Sequence, residues 1–447
     1  MECEADMAQG TAQRAVRSCP ECGEPVPVDE RYTDWCAACD WNVDPGAPDP
    51  APGRIAAVRR RIGRAYGEQL AAEMEQGSAA ARPAGRDAAT LLAFGVSLLV
   101  HGVTVLLVAA GILLIVLGWS TGVQPALGAL LLGLAWLLRP RRPRLPKDAP
   151  VLYRADAPRL FELIDEVAGA VGTSGVHAVV VTAEANAAVT AYGLRARRML
   201  LLGLGLWEIL PPQERIALLG HELGHFTNGD TRRGVVTDGA VRALATWFSV
   251  LAPTPPTGLL DHFVNAVTFL PRWTAFGLLV VLDHLTLRAS QRAEYLADAS
   301  AVRAGSAQAA AGLLDRILLA PAVHDRLRRE SVAAQMQGGA GGRAARDRAE
   351  DGLWERLAAH FGEVPEHEYE RLRRVSARRA HSVDSTHPPT HLRRRCAAAP
   401  GSAGSAGPAD SAPGLVRYGD SRAKAVAAEL APARAVLARR VIRDLAG

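Results

Sequence analysis

Among the 447 residues, the segment HELGH at 221–225 holds the residue types most able to do chemistry. His221 and His225 are four apart, so on a helix their imidazoles leave one face a turn apart and can bind one zinc ion. Glu222 then falls where it can take a proton from water activated there. With 12 histidines in the chain, a chance H-E-x-x-H is expected only about 0.02 times. A zinc site that does chemistry needs a third protein ligand and an open position. Downstream, RAEYLADAS (292–300) supplies Glu294 and, one turn later, Asp298. Glu294 suits the ligand, and Asp298 suits an acceptor that orients a ligand histidine. Taken alone, an E-x-x-x-D on a helix is usually a solvated face. A second metal-ligand pattern stands near the start: Cys19, Cys22, Cys36 and Cys39 form two Cys-x-x-Cys knuckles. Four thiolates so spaced can surround one structural zinc. Cys3 and Cys396 have no evident partners.

The elements that must position these groups follow from periodicity and punctuation. Two prolines open PPQERIALLGHELGHFTNGD (211–230), Ile216, Leu219 and Leu223 recur at helical spacing, and Asn228–Gly229 offers a stop. Ahead of it, 157–170 has helical spacing, while HAVVVT (177–182), AVTAYG (188–193) and RMLLLG (198–203) read as strands. Their edge suits an extended peptide that adds as a further strand. Residues 54–76 predict a basic helix, and DPGAPDPAPG (44–53) a proline-rich linker. The stretches 338–346 and 401–414 read as flexible.

From Leu91 to Leu138 no residue is charged, apart from what His101 can carry. The arms 91–117 and 122–138, joined by STGVQP, read as a transmembrane hairpin; two buried helices of a soluble core are the alternative. Arg82 and Arg86 precede it, and Arg139, Arg141, Arg142, Arg144 and Lys147 follow, so both ends are expected in the cytoplasm. Two later segments, 241–252 and 274–285, are apolar but about a dozen residues each, and Arg272 and Asp283 bound or interrupt the second. Two spans, both in the hairpin, are therefore expected. This placement also accounts for composition: a mean hydropathy of +0.05 averages an apolar hairpin with an arginine-rich polar remainder. Lys147 and Lys424 are the only lysines among 51 basic residues, so the net charge of +5 reads as codon bias plus membrane anchors. The knuckle segment is acidic, which argues against nucleic acid as a partner and for docking or regulation through protein.

HELGH, EYLAD and STHPPT (385–390) together resemble the M48 metallopeptidases, which include HtpX heat-shock proteases and CAAX prenyl endopeptidases. The resemblance covers about 150–397 and takes in NAAVTAYG from Asn186 and Asp230. It implies catalytic zinc on His221, His225 and Glu294, Glu222 as base, Asp298 behind the ligands, His387 at the oxyanion, Arg393 near it and Asn186 toward substrate. The expected fold is predominantly α with a small β-sheet, an α+β gluzincin-type domain. The expected organisation is a zinc ribbon (17–43), linker and basic helix (44–88), hairpin (89–139), metallopeptidase domain (150–397), then a flexible segment and C-terminal helix (398–447). The expected activity is that of a zinc endopeptidase acting on protein substrates from the cytoplasmic face of the cell membrane, with a silent peptide-binding scaffold as the alternative.

Overall fold

The computed structural model describes residues 16–46, 54–75, 88–139, 144–193, 195–227, 231–336, 342–379, 387–398 and 413–444. Arg82, Arg86, Arg141, Arg142, the Asn228–Asp230 stop, Ser385 and Cys3 lie outside them, as do most of the linker and of 401–414. Among the described residues the fold is mainly helical with two small sheets.

The cysteine knuckles come first among the described residues. Strands β1 (Val16–Ser18) and β2 (Pro25–Pro27) pair antiparallel. Each Cys-x-x-Cys loop turns back on itself, with Gly23 N–H donating to Cys19 O and Asp40 N–H to Cys36 O. Gly23 sits at φ +78°, in the left-handed region where a side chain is disfavoured. Then come α1 (Arg54–Glu75) and the apolar hairpin α2 (Ala88–Leu117) and α3 (Val123–Leu138).

A four-stranded sheet follows, ordered β3 (Val151–Leu152), β4 (Ala178–Thr182), β6 (Arg197–Gly203), β5 (Ala187–Tyr192). Strand β4 runs parallel to β6, and β5 is antiparallel to β6 at the edge. Helices α4 (Pro158–Val171), α5 (Leu204–Trp207) and α6 (Pro212–Gly224) cover it through a core that includes Phe161, Ile164, Leu200, Leu202, Trp207 and Leu219. Helices α7 (Thr231–Val250) and α8 (Leu259–Gly305) come next. They are followed by α9 (Ala307–Ile317), α10 (Ala320–Met336), α11 (Gly342–Glu350), α12 (Leu353–Gly362), α13 (Glu366–Arg379), α14 (Thr390–Ala398) and α15 (Asp420–Asp444). The C-terminal helix α15 is no appendage, because Val426, Leu430, Leu437 and Ile442 are buried in the core of the sheet unit.

The apolar segments differ from expectation: 241–250 is the second half of the 20-residue α7, and the two helices long enough to span are α2 and α8 rather than the two arms of the hairpin. Segment 274–285 is not a separate short helix but the middle of α8, 47 residues long. Arg272 does not end it, because its guanidinium lies over the Phe248 ring, 4.4 Å from the centroid. By length and composition, α2 and α8 are each able to cross a membrane, whereas α3 is shorter. Helices α2, α3, α7 and α8 share a small core of Val100, Leu138, Leu244, Trp247 and Leu282. Their other faces expose Leu99, Leu106, Leu113, Phe263, Val267 and Phe269. Exposed apolar residues on helices of this length suit a membrane-associated protein.

Candidate metal centre

The site is made where α6 crosses α8. Helix α6 starts on Pro212, suited to the first turn because it lacks an N–H. Its last turn tightens to three-residue hydrogen bonds, His225 N–H to Glu222 O and Phe226 N–H to Leu223 O. His225 keeps helical dihedrals there, and the two imidazoles stand perpendicular with centroids 4.9 Å apart.

The glycines between and before the histidines decide how close α8 can come. A Cβ on Gly220 would meet Ala304 Cβ at 2.8 Å, and one on Gly224 would meet Ser300 Cβ at 2.8 Å. With Ala297 and Ala301 opposite, the two helices touch backbone to backbone, and Glu294 reaches the histidines. Its Oε2 lies 3.6 Å from His221 Nε2 and its Oε1 lies 3.6 Å from His225 Nε2. Donors around a tetrahedral zinc with bonds near 2.1 Å are about 3.4 Å apart, so this triangle suits the ion. Glu294 Oε2 is also buried without a hydrogen bond, and a metal there would complete what its ion pair with Arg393 leaves unmet.

Behind the triangle, Asp298 accepts from His221 Nδ1 at 3.0 Å. That bond fixes the tautomer and turns Nε2 toward Glu294. Arg393, from α14, closes the layer by donating Nε and one terminal nitrogen to the two Asp298 oxygens at 2.8 and 2.7 Å. Its other terminal nitrogen lies 3.3 Å from Glu294 Oε2. Burial would raise the Asp298 pKa, but the Arg393 guanidinium outweighs it and holds the carboxylate well below its usual range. Burial opposes charging of His221, yet its bond to Asp298 prevails and lifts its pKa. In His225 burial wins, aided by His221, and the pKa falls to about 4, leaving a neutral ring fit for a metal. Glu222 is buried beside them, and desolvation pushes its pKa up.

His387 Nε2 stands 3.2 Å from Glu294 Oε1, so the His-Pro-Pro turn does reach the site. Asn186 is placed differently. It leads into β5, and its side chain turns back to accept from Ala187 N–H at 2.9 Å. The profile of peptidase family M48 matches residues 154–399. The chain belongs to peptidase family M48. Comparison with curated proteins and with solved structures gives no match. Every residue of the M48 metal cluster and of the Asp298–Arg393 layer lies within that match, and the protein is a metallopeptidase by family.

Outside the match, the N-terminal cysteines also converge. The four Sγ atoms lie within 4.8 Å of one another. Cys19 and Cys39 are 3.6 Å apart and Cys22 and Cys36 3.5 Å, against about 3.8 Å for thiolates around tetrahedral zinc. The cluster is thus compatible with a zinc ribbon. What spacing did not reveal is where the ribbon rests. Trp35 stacks on His367 of α13 at 4.6 Å, and Arg374 lies over its ring. Arg374 and Arg378 both bind Asp40, Arg379 binds Asp44, and Arg371 donates to Val43 O at 3.0 Å. The partners of these arginines are more than three hundred residues away.

Proposed function

We propose that the chain is a membrane-anchored zinc endopeptidase that hydrolyses peptide bonds of protein substrates at the cytoplasmic face. The observation that carries this reading is the buried Glu222 beside a triangle of His221, His225 and Glu294 donors. When bound there, zinc supplies Lewis acidity to the scissile carbonyl and to the attacking water. Glu222 takes the proton of that water and returns it to the leaving amine nitrogen. Its burial brings its pKa toward the range in which a carboxyl both accepts and gives. His387 offers an N–H to the carbonyl oxygen as it gains charge. Asp298 and Arg393 touch neither water nor substrate; they keep His221 and Glu294 in orientation.

Strand β5 supports a substrate mode. It is one edge of the sheet, opposite β3, and packs beside α6, so an extended peptide can add to it antiparallel. Such pairing reads backbone rather than side chains, which favours unfolded chains and agrees with a role in membrane-protein quality control. Cytoplasmic sidedness rests on Arg139, Arg144 and Lys147 after the hairpin. Chelation followed by zinc addition tests the reading on an unfolded reporter protein in detergent. Cleavage should stop and return; a silent scaffold cleaves in neither state.

A further inference from the structure

Helix α1 lies outside the family match and ahead of the membrane hairpin, yet it packs directly on the two elements that complete the metal centre. On one side it meets α8 on either flank of Glu294. Gln291 donates to Gly63 O at 2.9 Å and Tyr295 OH to Gly67 O at 2.9 Å; both side chains are buried. On the other side it meets α14. Leu70 and Ala71 are buried with Tyr295, Leu392 and Cys396. Arg395 pairs with Glu75, and Arg288 of α8 with Glu73. Between them stands the His-Pro-Pro turn. A Cβ on Gly67 would lie 3.1 Å from Pro389 Cδ and 3.7 Å from Pro388 Cβ, while one on Gly63 would meet nothing closer than Gln291 Nε2 at 3.5 Å.

Glycine in a helix interior is less favourable than alanine. Two glycines four apart on the buried side of α1 therefore need a reason. At Gly67 the reason is the turn. The close approach seats Pro388–Pro389 against α1 and sets how far His387 extends toward Glu294.

We propose that α1 is a positioning strap for the peptidase site, with Gly67 setting the His387 turn and Tyr295 locking α8 at Glu294. The proposal rests on the peptidase reading for its kinetic arm only. It gives an N-terminal segment a direct hold on the active centre and links that centre, through α1, to the chain that enters the hairpin.

The test compares Gly67→Ala with Gly63→Ala in the full chain in detergent. Both substitutions raise helix propensity equally, so both should keep or raise the melting temperature and keep the metal content. A displacement of about 1 Å at a reacting group can cost about a hundredfold, and Gly67→Ala displaces the turn by a few tenths, so kcat should fall about three- to fivefold with KM little changed. Gly63→Ala, in ordinary contact, should retain most of the wild-type rate. Hydrogen exchange over 387–398 supplies a readout free of activity. It should quicken in Gly67→Ala, and more in Gly67→Leu, but not in Gly63→Ala. Equal rates and equal exchange in the two alanine variants would overturn the strap. So would a loss in Gly67→Ala that merely followed metal loss or melting. If wild type showed no cleavage dependent on Glu222, the peptidase reading would fail while the exchange comparison still decided the strap.

Discussion

Replacing Asp298 by asparagine probes the layer behind the metal cluster with almost no change in volume. Wild-type Asp298 is buried, takes two hydrogen bonds from Arg393 and one from His221, and is ionised far below neutrality. Asparagine keeps one acceptor but loses the charge. Removing the partner that orients a ligand histidine typically costs 10–100-fold in metal affinity. That corresponds to about 1.4–2.7 kcal/mol. A second effect acts on the metal-free protein. Arg393 is only 3% exposed, so its guanidinium is left in a dry site. Breaking a buried pair from one side costs about 3–5 kcal/mol. Glu294 Oε2, 3.3 Å away, recovers part of that and is in turn drawn from the metal. Zinc competition against a chromophoric chelator should show the site weakened 10–100-fold, with the ribbon's equivalent as internal reference. Melting in chelator should show the loss of stability. Adding Arg393→Met should restore part of that stability, because the guanidinium no longer stays buried without Asp298, but not zinc affinity, since Glu294 Oε2 loses its partner as well. Zinc affinity within twofold of wild type, with unchanged melting, would refute the positioning role.

The ribbon and the membrane surface give further expectations. Cys36→Ser should lower bound zinc by one equivalent and leave the His221-dependent equivalent in place, as read by metal analysis; two equivalents retained would remove the four-cysteine assignment. The ribbon's docking should loosen in acid. Hydrogen bonds from Arg379 hold Asp44 below the usual carboxylate range against the opposing effect of burial. Its stabilising contribution is thus complete above the unfolded value near 3.9 and lost as pH falls through the lower folded value. Amide exchange over 371–379 should show this, and Asp44→Asn should remove part of it, the remainder belonging to Asp40 with Arg374 and Arg378; an identical profile in the variant would take Asp44 out of the docking. Leu106→Arg places a charge on an exposed face of α2, at a cost of about 2.5–3.5 kcal/mol for a residue near the centre of a span. Less protein should then resist alkaline extraction from membranes. No change would mean that this face does not meet lipid.

The metal cluster was legible because helical spacing maps sequence distance onto direction. Residues 221 and 225 share a face, as do 294 and 298, and only a tetrahedral centre gives both pairs a common purpose. The strands and the hairpin arms were legible for the same reason, as runs of one period bounded by glycine, proline or charge. The continuity of α8 was not. Backbone hydrogen bonds continue through Arg272 and Asp283 whatever their charge, and an aromatic ring from another helix receives Arg272. Nor could spacing show that the arginines of α13 face the ribbon, since that pairing is purely tertiary. Gly67 carried a faint signal, a helix-breaking residue in an otherwise helical pattern. Its cause, a proline turn more than three hundred residues on, is visible only in space.

The central claim is that Glu222 moves the proton of the hydrolytic water at a metal held by His221, His225 and Glu294. Its most direct test is the rate at which purified wild type and Glu222→Gln, each carrying equal zinc, cleave an unfolded protein in detergent. Proton transfer by a positioned side chain contributes about 10²–10⁴-fold. The variant should therefore keep both metal equivalents and lose at least about a hundredfold in kcat. Cleavage by Glu222→Gln at the wild-type rate would contradict the account.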